Sequence, residues 1–238
     1  MKRQVKAAAL LLALCALLSL TSCKKTENLS DISRPEGFAT GDEAQIQEMT
    51  GAAEKSENVN GMRFTFDLLG FSQSYNNSKK ELGQNDLIFY GNWRKQGETE
   101  KDDNGTEIDY YYYDDINVNF TATVEAHTGK LLNIGCGTTM STFMGQTGDK
   151  NNSDLILAKA ALMAQTVCQF PKESRSVIQD IFFRTATESN DTLWYKGFVF
   201  NLSTREDKND RKNNVMLFRV FPISEELRKE WKLQEYIF

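Results

Sequence analysis

The chain of 238 residues has one histidine, three prolines and four cysteines. The single histidine, His127, excludes a metal site built on several imidazoles. Scarce proline, beside 11% aromatic residues, argues for a packed domain rather than a disordered one. Basic charge is also short, with 28 Lys and Arg against 33 Asp and Glu. Such a chain lacks a general attraction for nucleic acid or anionic headgroups. Long hydrophobic runs are missing except at the start, where residues 7–20 are apolar apart from Ser19. As a helix that run reaches roughly 21 Å, whereas a bilayer core of about 30 Å needs roughly 20 residues.

What is present at the N-terminus is a basic stretch with Lys2, Arg3 and Lys6, then the short apolar run. This is the layout of a secretory signal. It ends in Leu20-Thr21-Ser22-Cys23, which resembles the lipobox of bacterial lipoproteins: an aliphatic residue, two small ones, then cysteine. The resemblance implies that residues 1–22 are removed, that the Cys23 thiol is diacylated, and that the new amino terminus is acylated as well. One acyl chain holds a protein only marginally, at about 0.8 kcal/mol per buried CH₂, so two or three make the anchor durable. The membrane is then a partner through lipid. Lys24-Lys25 follows Cys23, without the aspartate that favours inner-membrane retention in enterobacterial lipoproteins. The outer membrane is therefore expected over the inner one. Cys15 leaves with the signal, and the mature chain has 25 basic and 33 acidic residues, a net charge of −8.

Residues 23–41 are polar with isolated apolar positions, the composition of a flexible tether. Residues 42–238 then read as one α+β domain. A helix is expected over 42–56, carrying Ile46 and Met49. Strict alternation over 62–68 predicts a strand with Met62, Phe64, Phe66 and Leu68 on one face. Residues 72–84 look like a polar loop, 86–93 a strand, and 95–105 a charged turn. The clearest signal is in 108–134. Ile116, Val118, Phe120, Ala122 and Val124 share one parity, and Asn119, Thr121, Thr123 and Glu125 the other, as in a half-buried strand. Gly129 in His127-Thr128-Gly129-Lys130 allows a tight return. Upstream, residues 110–113 form the partner strand. Ser153 is placed to cap a helix over 153–170 with Ile156, Met163, Val167 and Phe170 on its apolar stripe, stopped by Pro171. Strands are expected over 177–187, 192–202 and 215–221, with turns at 189–191 and 205–214. Ser224 caps a short terminal helix carrying Leu227 and Trp231. The order predicts an antiparallel sheet with helices packed on one face.

Residues 110–115, Tyr-Tyr-Tyr-Tyr-Asp-Asp, followed by Val124-Glu125-Ala126-His127-Thr128-Gly129-Lys130, resemble the end of a PepSY-type module. Those modules are small cystatin-like α+β units of exported proteins, associated with protein interaction and in some members with protease inhibition. His127 stands where the family has Lys or another polar residue. The resemblance implies a cystatin-like architecture, and the full chain could hold two cystatin/PepSY-like halves.

No motif specifies catalysis, a cofactor or a metal. Gly135-Cys136-Gly137 starts like a dinucleotide loop but lacks its third glycine. Glu100, Asp102 and Asn104 have calcium-loop spacing, but Tyr111 stands where a bidentate acid is required. Gly70-Phe71-Ser72-Gln73-Ser74 fails the nucleophile-elbow pattern at its last position. Cys136 with His127 could form a thiol–imidazole pair, against the simpler reading of a packed thiol and a surface histidine. Cys136 and Cys168 could be bridged, closing a loop that is worth roughly 3–4 kcal/mol in the chain-entropy model, or could be two buried free thiols. Of the four tyrosines, Tyr111 and Tyr113 share a face and could present rings to a sugar or peptide. The simpler alternative packs one pair inward and lays the other over the outer face.

The reading that follows is a membrane-tethered envelope lipoprotein with a non-catalytic binding domain for a protein or peptide partner, and an exposed apolar or aromatic patch on one sheet face. Its alternatives are an envelope hydrolase using Cys136 and His127, and a purely structural component. Cys23→Ser is expected to abolish palmitate incorporation and leave an uncleaved precursor of lower mobility. Unchanged processing in a metabolic-labelling experiment would remove the anchor.

Overall fold

A computed structural model describes residues 50–115, 118–143, 152–187, 191–205 and 214–237. The signal, the tether, Cys23, Ile116 and the tip of the expected 205–214 turn lie outside the described residues. So does most of the 42–56 helix, and its last residues form a strand instead. The elements are β1 (Ala53–Lys55), β2 (Met62–Phe64), α1 (Leu68–Glu81), β3 (Arg94–Lys101), β4 (Glu107–Asp115), β5 (Val118–Glu125) and β6 (Leu131–Thr139). There follow α2 (Met140–Phe143), α3 (Asn152–Val167), α4 (Arg175–Thr187), β7 (Thr192–Tyr195), β8 (Phe198–Arg205), β9 (Val215–Pro222) and α5 (Glu225–Glu230). Among the described residues no helix is long and apolar enough to cross a membrane.

Seven strands form one antiparallel sheet in the order β3-β4-β5-β6-β9-β8-β7, and β1 pairs with β2 alongside. Each half of the sheet is a meander, β3 to β6 and β7 to β9, preceded in sequence by helix. The last strands of the two meanders, β6 and β9, pair at the centre. α1, α3 and α4 pack on one face, so the fold is α+β as the residue pattern predicts. Val118, Phe120, Ala122 and Val124 are all buried, in the alternation expected of β5. Gly129 takes φ +70° in the β5–β6 turn.

The layer between sheet and helices is aromatic. The Phe182 ring on α4 meets Phe200 at 5.4 Å and Phe218 at 5.3 Å, both edge-on. Tyr75 on α1 meets Phe120 at 5.4 Å, and Trp93 lies 5.6 Å from Tyr113. Edge-on and tilted rings at these spacings add about 0.5–1.5 kcal/mol per pair beyond area burial.

Several local expectations fail, each for a tertiary reason. Residues 72–84 are not a loop: 68–81 form α1, capped by the Asp67 carboxylate, which accepts from Gly70 N at 2.7 Å. Its buried stripe includes Ser72 and Lys79, and the half-buried Asn76 lies beside it, so the helical period is hidden by polar residues. Ser72 accepts from Trp93 Nε1 at 3.1 Å, Asn76 bonds both backbone groups of Ile88, and Lys79 pairs with Asp86 at 2.6 Å. Those bonds hold 86–93 as an irregular segment with a 3₁₀ turn at Tyr90–Asn92, where a strand was expected. The strand expected at 62–68 ends at Phe64. The charged turn at 95–105 is instead edge strand β3, exposed throughout and interrupted at Gly97. Charge and a bulge are how free edges avoid pairing with other chains.

The strand expected at 177–187 is helix α4. Val177, Ile178, Ile181, Phe182 and Thr185 are buried at helical spacing, which outweighs the β-branched composition. The strand expected at 192–202 is two strands, because Lys196 (φ 48°) and Gly197 (φ 90°) make a two-residue turn with both φ positive. α3 begins at Asn152, so Ser153 lies inside its first turn rather than capping it. Ser224 does cap α5, accepting from Leu227 N at 3.3 Å. Beyond α5, Trp194 N donates to Gln234 O and Tyr236 N to Trp194 O, each at 2.8 Å, so the chain end closes the β7 edge.

Glu125 ties the β1–β2 hairpin to the sheet. Its buried carboxylate accepts from Ser56 and Thr128, each at 2.6 Å, and from Arg63. Burial alone would raise its pKa, but these three donors together hold it below the ordinary glutamate value. The stabilisation is therefore complete above the unfolded glutamate pKa of about 4.3. It is lost as pH falls through the lower folded value. Glu125→Ala is expected to cost roughly 2–4 kcal/mol at neutral pH, and to flatten the acid limb of stability measured by urea unfolding at several pH values.

Candidate functional site

The face of the sheet opposite the helices carries a groove of about 700 Å³. Its floor comes from alternate residues of four adjacent strands: Thr123 on β5, Asn133 on β6, Arg219 on β9 and Asn201 on β8. Tyr110, Phe221, Trp231 and Leu233 provide aromatic and apolar surface around it. Tyr110 and Trp231 are 36% and 43% exposed, so their rings are available to a ligand.

Two glycines make the floor possible. A Cβ on Gly135 would stand 2.8 Å from Leu217 Cδ1 and Thr121 Oγ1, and 3.0 Å from Arg219 Cγ. At Gly137 it would stand 3.2 Å from Leu217 Cδ1. Neighbouring side chains therefore lie flat across the central strand, and Arg219 extends over Gly135. The Gly135-Cys136-Gly137 sequence serves strand packing here, with Cys136 pointing to the opposite face.

Arg219 is the one groove residue with an unusual electrostatic position. Its Nη2 donates to Asn201 Oδ1 at 3.0 Å, and Asn201 in turn donates to Thr192 Oγ1 at 3.0 Å and Asp191 O at 3.2 Å. Its Nε is shut from solvent without an acceptor. None of the ion pairs among the described residues includes it. Burial holds its pKa below that of a free guanidinium, the direction expected when a cation is desolvated.

The residues singled out from sequence fall elsewhere. Tyr113 is buried against Trp93, and Tyr111 packs against the same core, so the pair expected to meet a ligand faces the helices. The outward pair is Tyr110 and Tyr112. The rule of alternation was sound, but which parity faces the core depends on where α1 packs. Cys136 is fully buried, paired in register with Phe120 and Phe218, and its thiol is pushed up to about 12 by burial, against the nearby Lys159 charge. His127 is 76% exposed at the turn and lies 3.4 Å from Glu107. The structure does not bring the two together, and the thiol–imidazole pair has no geometry. Cys168 lies just past the end of α3, buried and free like Cys136; the disulfide weighed between them is not formed.

Asp102 braces loops: its carboxylate accepts from Asn104, Thr106 and Val59 N at 2.9–3.0 Å. Ser72, in the failed nucleophile pattern, is buried and bonded to Leu68 O. No group of three or more His, Cys, Asp or Glu among the described residues could hold a metal. Sequence reasoning missed Arg219 and Asn201. The only local signal was the alternation Leu217, Arg219, Phe221, which places an arginine on a sheet face.

No family model, curated protein or solved structure matches the chain. Gly135→Ala is expected to displace Thr121, Leu217 and Arg219 and to cost about 1–3 kcal/mol by overpacking. Thermal unfolding measures this, and an unchanged midpoint would show that the floor is looser than described.

Proposed function

We propose that the chain is a lipid-anchored envelope lipoprotein whose α+β domain binds a ligand without catalysis, through the open sheet face. The observation that supports this is the groove itself, which combines exposed aromatic rings, amide side chains and one buried-stem cation. Ligand sites commonly join apolar surface with a few convergent polar groups. The catalytic alternative loses its support because Cys136 and His127 stand apart. The anchor rests on residues 20–23, and an outer-membrane location on the absence of aspartate after Cys23.

A PepSY-type origin for the first half is also part of this reading. It draws support from the order of elements: helix α1 is followed by β3, the tyrosine strand β4, β5 and then the Thr128-Gly129-Lys130 turn. The architecture suits interaction, with helices occupying one face and the other left for a partner.

A photo-reactive phenylalanine analogue placed at Tyr110 or Trp231 tests the groove in intact envelopes. Adducts of higher mass are expected from both positions and not from Leu69, which is exposed on α1. Equal adducts at all three positions, or none in the groove, would overturn the assignment of the binding surface.

A further inference from the structure

The chemistry of the groove narrows what it takes. An extended peptide is most simply held by hydrogen bonds along a free strand edge. Neither edge of this sheet offers that. β3 is charged and bulged, and the chain end covers β7. In the groove the ligand meets a sheet face, where strand backbone groups are spent in the ladders between β5, β6, β9 and β8. On the floor only side chains can recognise it, and those are two amides, a hydroxyl and a guanidinium.

Such a set suits a hydroxyl-rich ligand with flat apolar ring faces, which can lie on Tyr110 and Trp231. Arg219 adds one requirement. It is the floor's only charge; its Nε is shut from solvent, so the Nη1 and Nη2 end of the guanidinium is what a ligand can meet, with Nη2 already donating once to Asn201. A planar carboxylate matches that fork in two parallel hydrogen bonds. Three aspartates, Asp102, Asp103 and Asp191, also line the groove beside Lys101. They disfavour a polyanion such as nucleic acid or a sulfated chain. A ligand with one carboxylate among several hydroxyls fits both the cation and its acidic surroundings.

We infer that the Arg219 groove binds an acidic sugar: a uronic acid unit of a saccharide, its ring on Tyr110 or Trp231 and its carboxylate on the Arg219 guanidinium. This rests on the proposed binding role of the open face.

Isothermal titration of the full chain in detergent tests it, with two neutral trisaccharides each ended by a single uronate (galacturonate or glucuronate), the methyl ester of each, and tetra-alanine as probes. At least one of the two single-uronate probes is expected to bind, and its methyl ester should bind tenfold or more weakly. Arg219→Met should weaken binding by roughly ten- to a hundredfold. Arg219→Lys, which keeps the charge and loses the fork, should weaken it several-fold, as should Tyr110→Ala. Thermal unfolding of each variant checks folding. If Arg219→Met does not fold, Arg219→Lys and Tyr110→Ala decide.

Equal binding of the ester, or none lost in the Arg219 variants, overturns the carboxylate contact. In that case a continued effect of Tyr110→Ala leaves the groove as the binding surface. Binding of tetra-alanine alone overturns the sugar class. Binding indifferent to Tyr110 and Arg219 alike removes the groove as well. No heat with either single-uronate probe overturns the inference, while the cross-linking at Tyr110 and Trp231 judges the groove separately.

Discussion

The structure depends on one ladder, β6 to β9. Six residue pairs, from Ile134 with Val220 to Thr139 with Val215, join two meanders that otherwise share no strand contact in the sheet. The central pairs have to satisfy both faces at once. On the helix side Cys136 is small enough to sit between Phe120 and Phe218 without a gap. On the open side Gly135 and Gly137 leave room for Leu217 and Arg219 to lie across the strand. A side chain at either glycine would lift its neighbours from the floor, so the groove follows from the way the halves are joined.

The two faces divide the work. The helix side is a closed aromatic layer, and its polar members, Ser72, Lys79 and Lys159, are all bonded or ion-paired. Lys159 meets Asp115 at 2.8 Å and lies 3.9 Å from Asp86, which links α3 to β4 and to the segment below α1. Burying such charges is worthwhile only when each has a close partner. On the open side Thr123, Asn133 and Asn201 are hydrogen-bonded, and Arg219 has a nitrogen shut from solvent without an acceptor, as the Tyr75 hydroxyl is on the helix side. That unspent bonding capacity in a partly desolvated place is what the proposed binding role of this face rests on. Accessory contacts frame it: the β1–β2 hairpin held through Glu125, and α5, whose cap Ser224 N donates to Asn60 O of the hairpin at 3.0 Å and whose Arg228 lies 3.7 Å above the Trp194 ring.

The strongest periodic signals were legible without a structure. β5, its turn at Gly129, β9 and the Ser224 cap stand as the residues predict, because one side of each is buried and the pattern records it. α1 was illegible because Ser72, Asn76 and Lys79 are on or beside the inward stripe, paired with residues up to 21 positions away. Polar residues read as solvent-facing until their partners are known. β3 was missed for the opposite reason: an edge strand with both faces exposed carries no apolar alternation at all. For α4, β-branched residues suggested a strand, while their i, i+4 spacing suited the groove between α3 and the sheet.

By itself the amino-acid order determined an α+β class and the alternation of β5, and it carries the lipobox-like pattern at residues 20–23 on which the proposed leader and anchor rest. These are local properties: runs, periods and spacings that neighbouring residues express alone. Which tyrosine pair faces outward, whether Cys136 meets His127, and where Arg219 lies were decided only by tertiary structure. Each depends on contacts between segments distant in sequence, and a strand pattern states that two faces differ without stating which one the helices will cover.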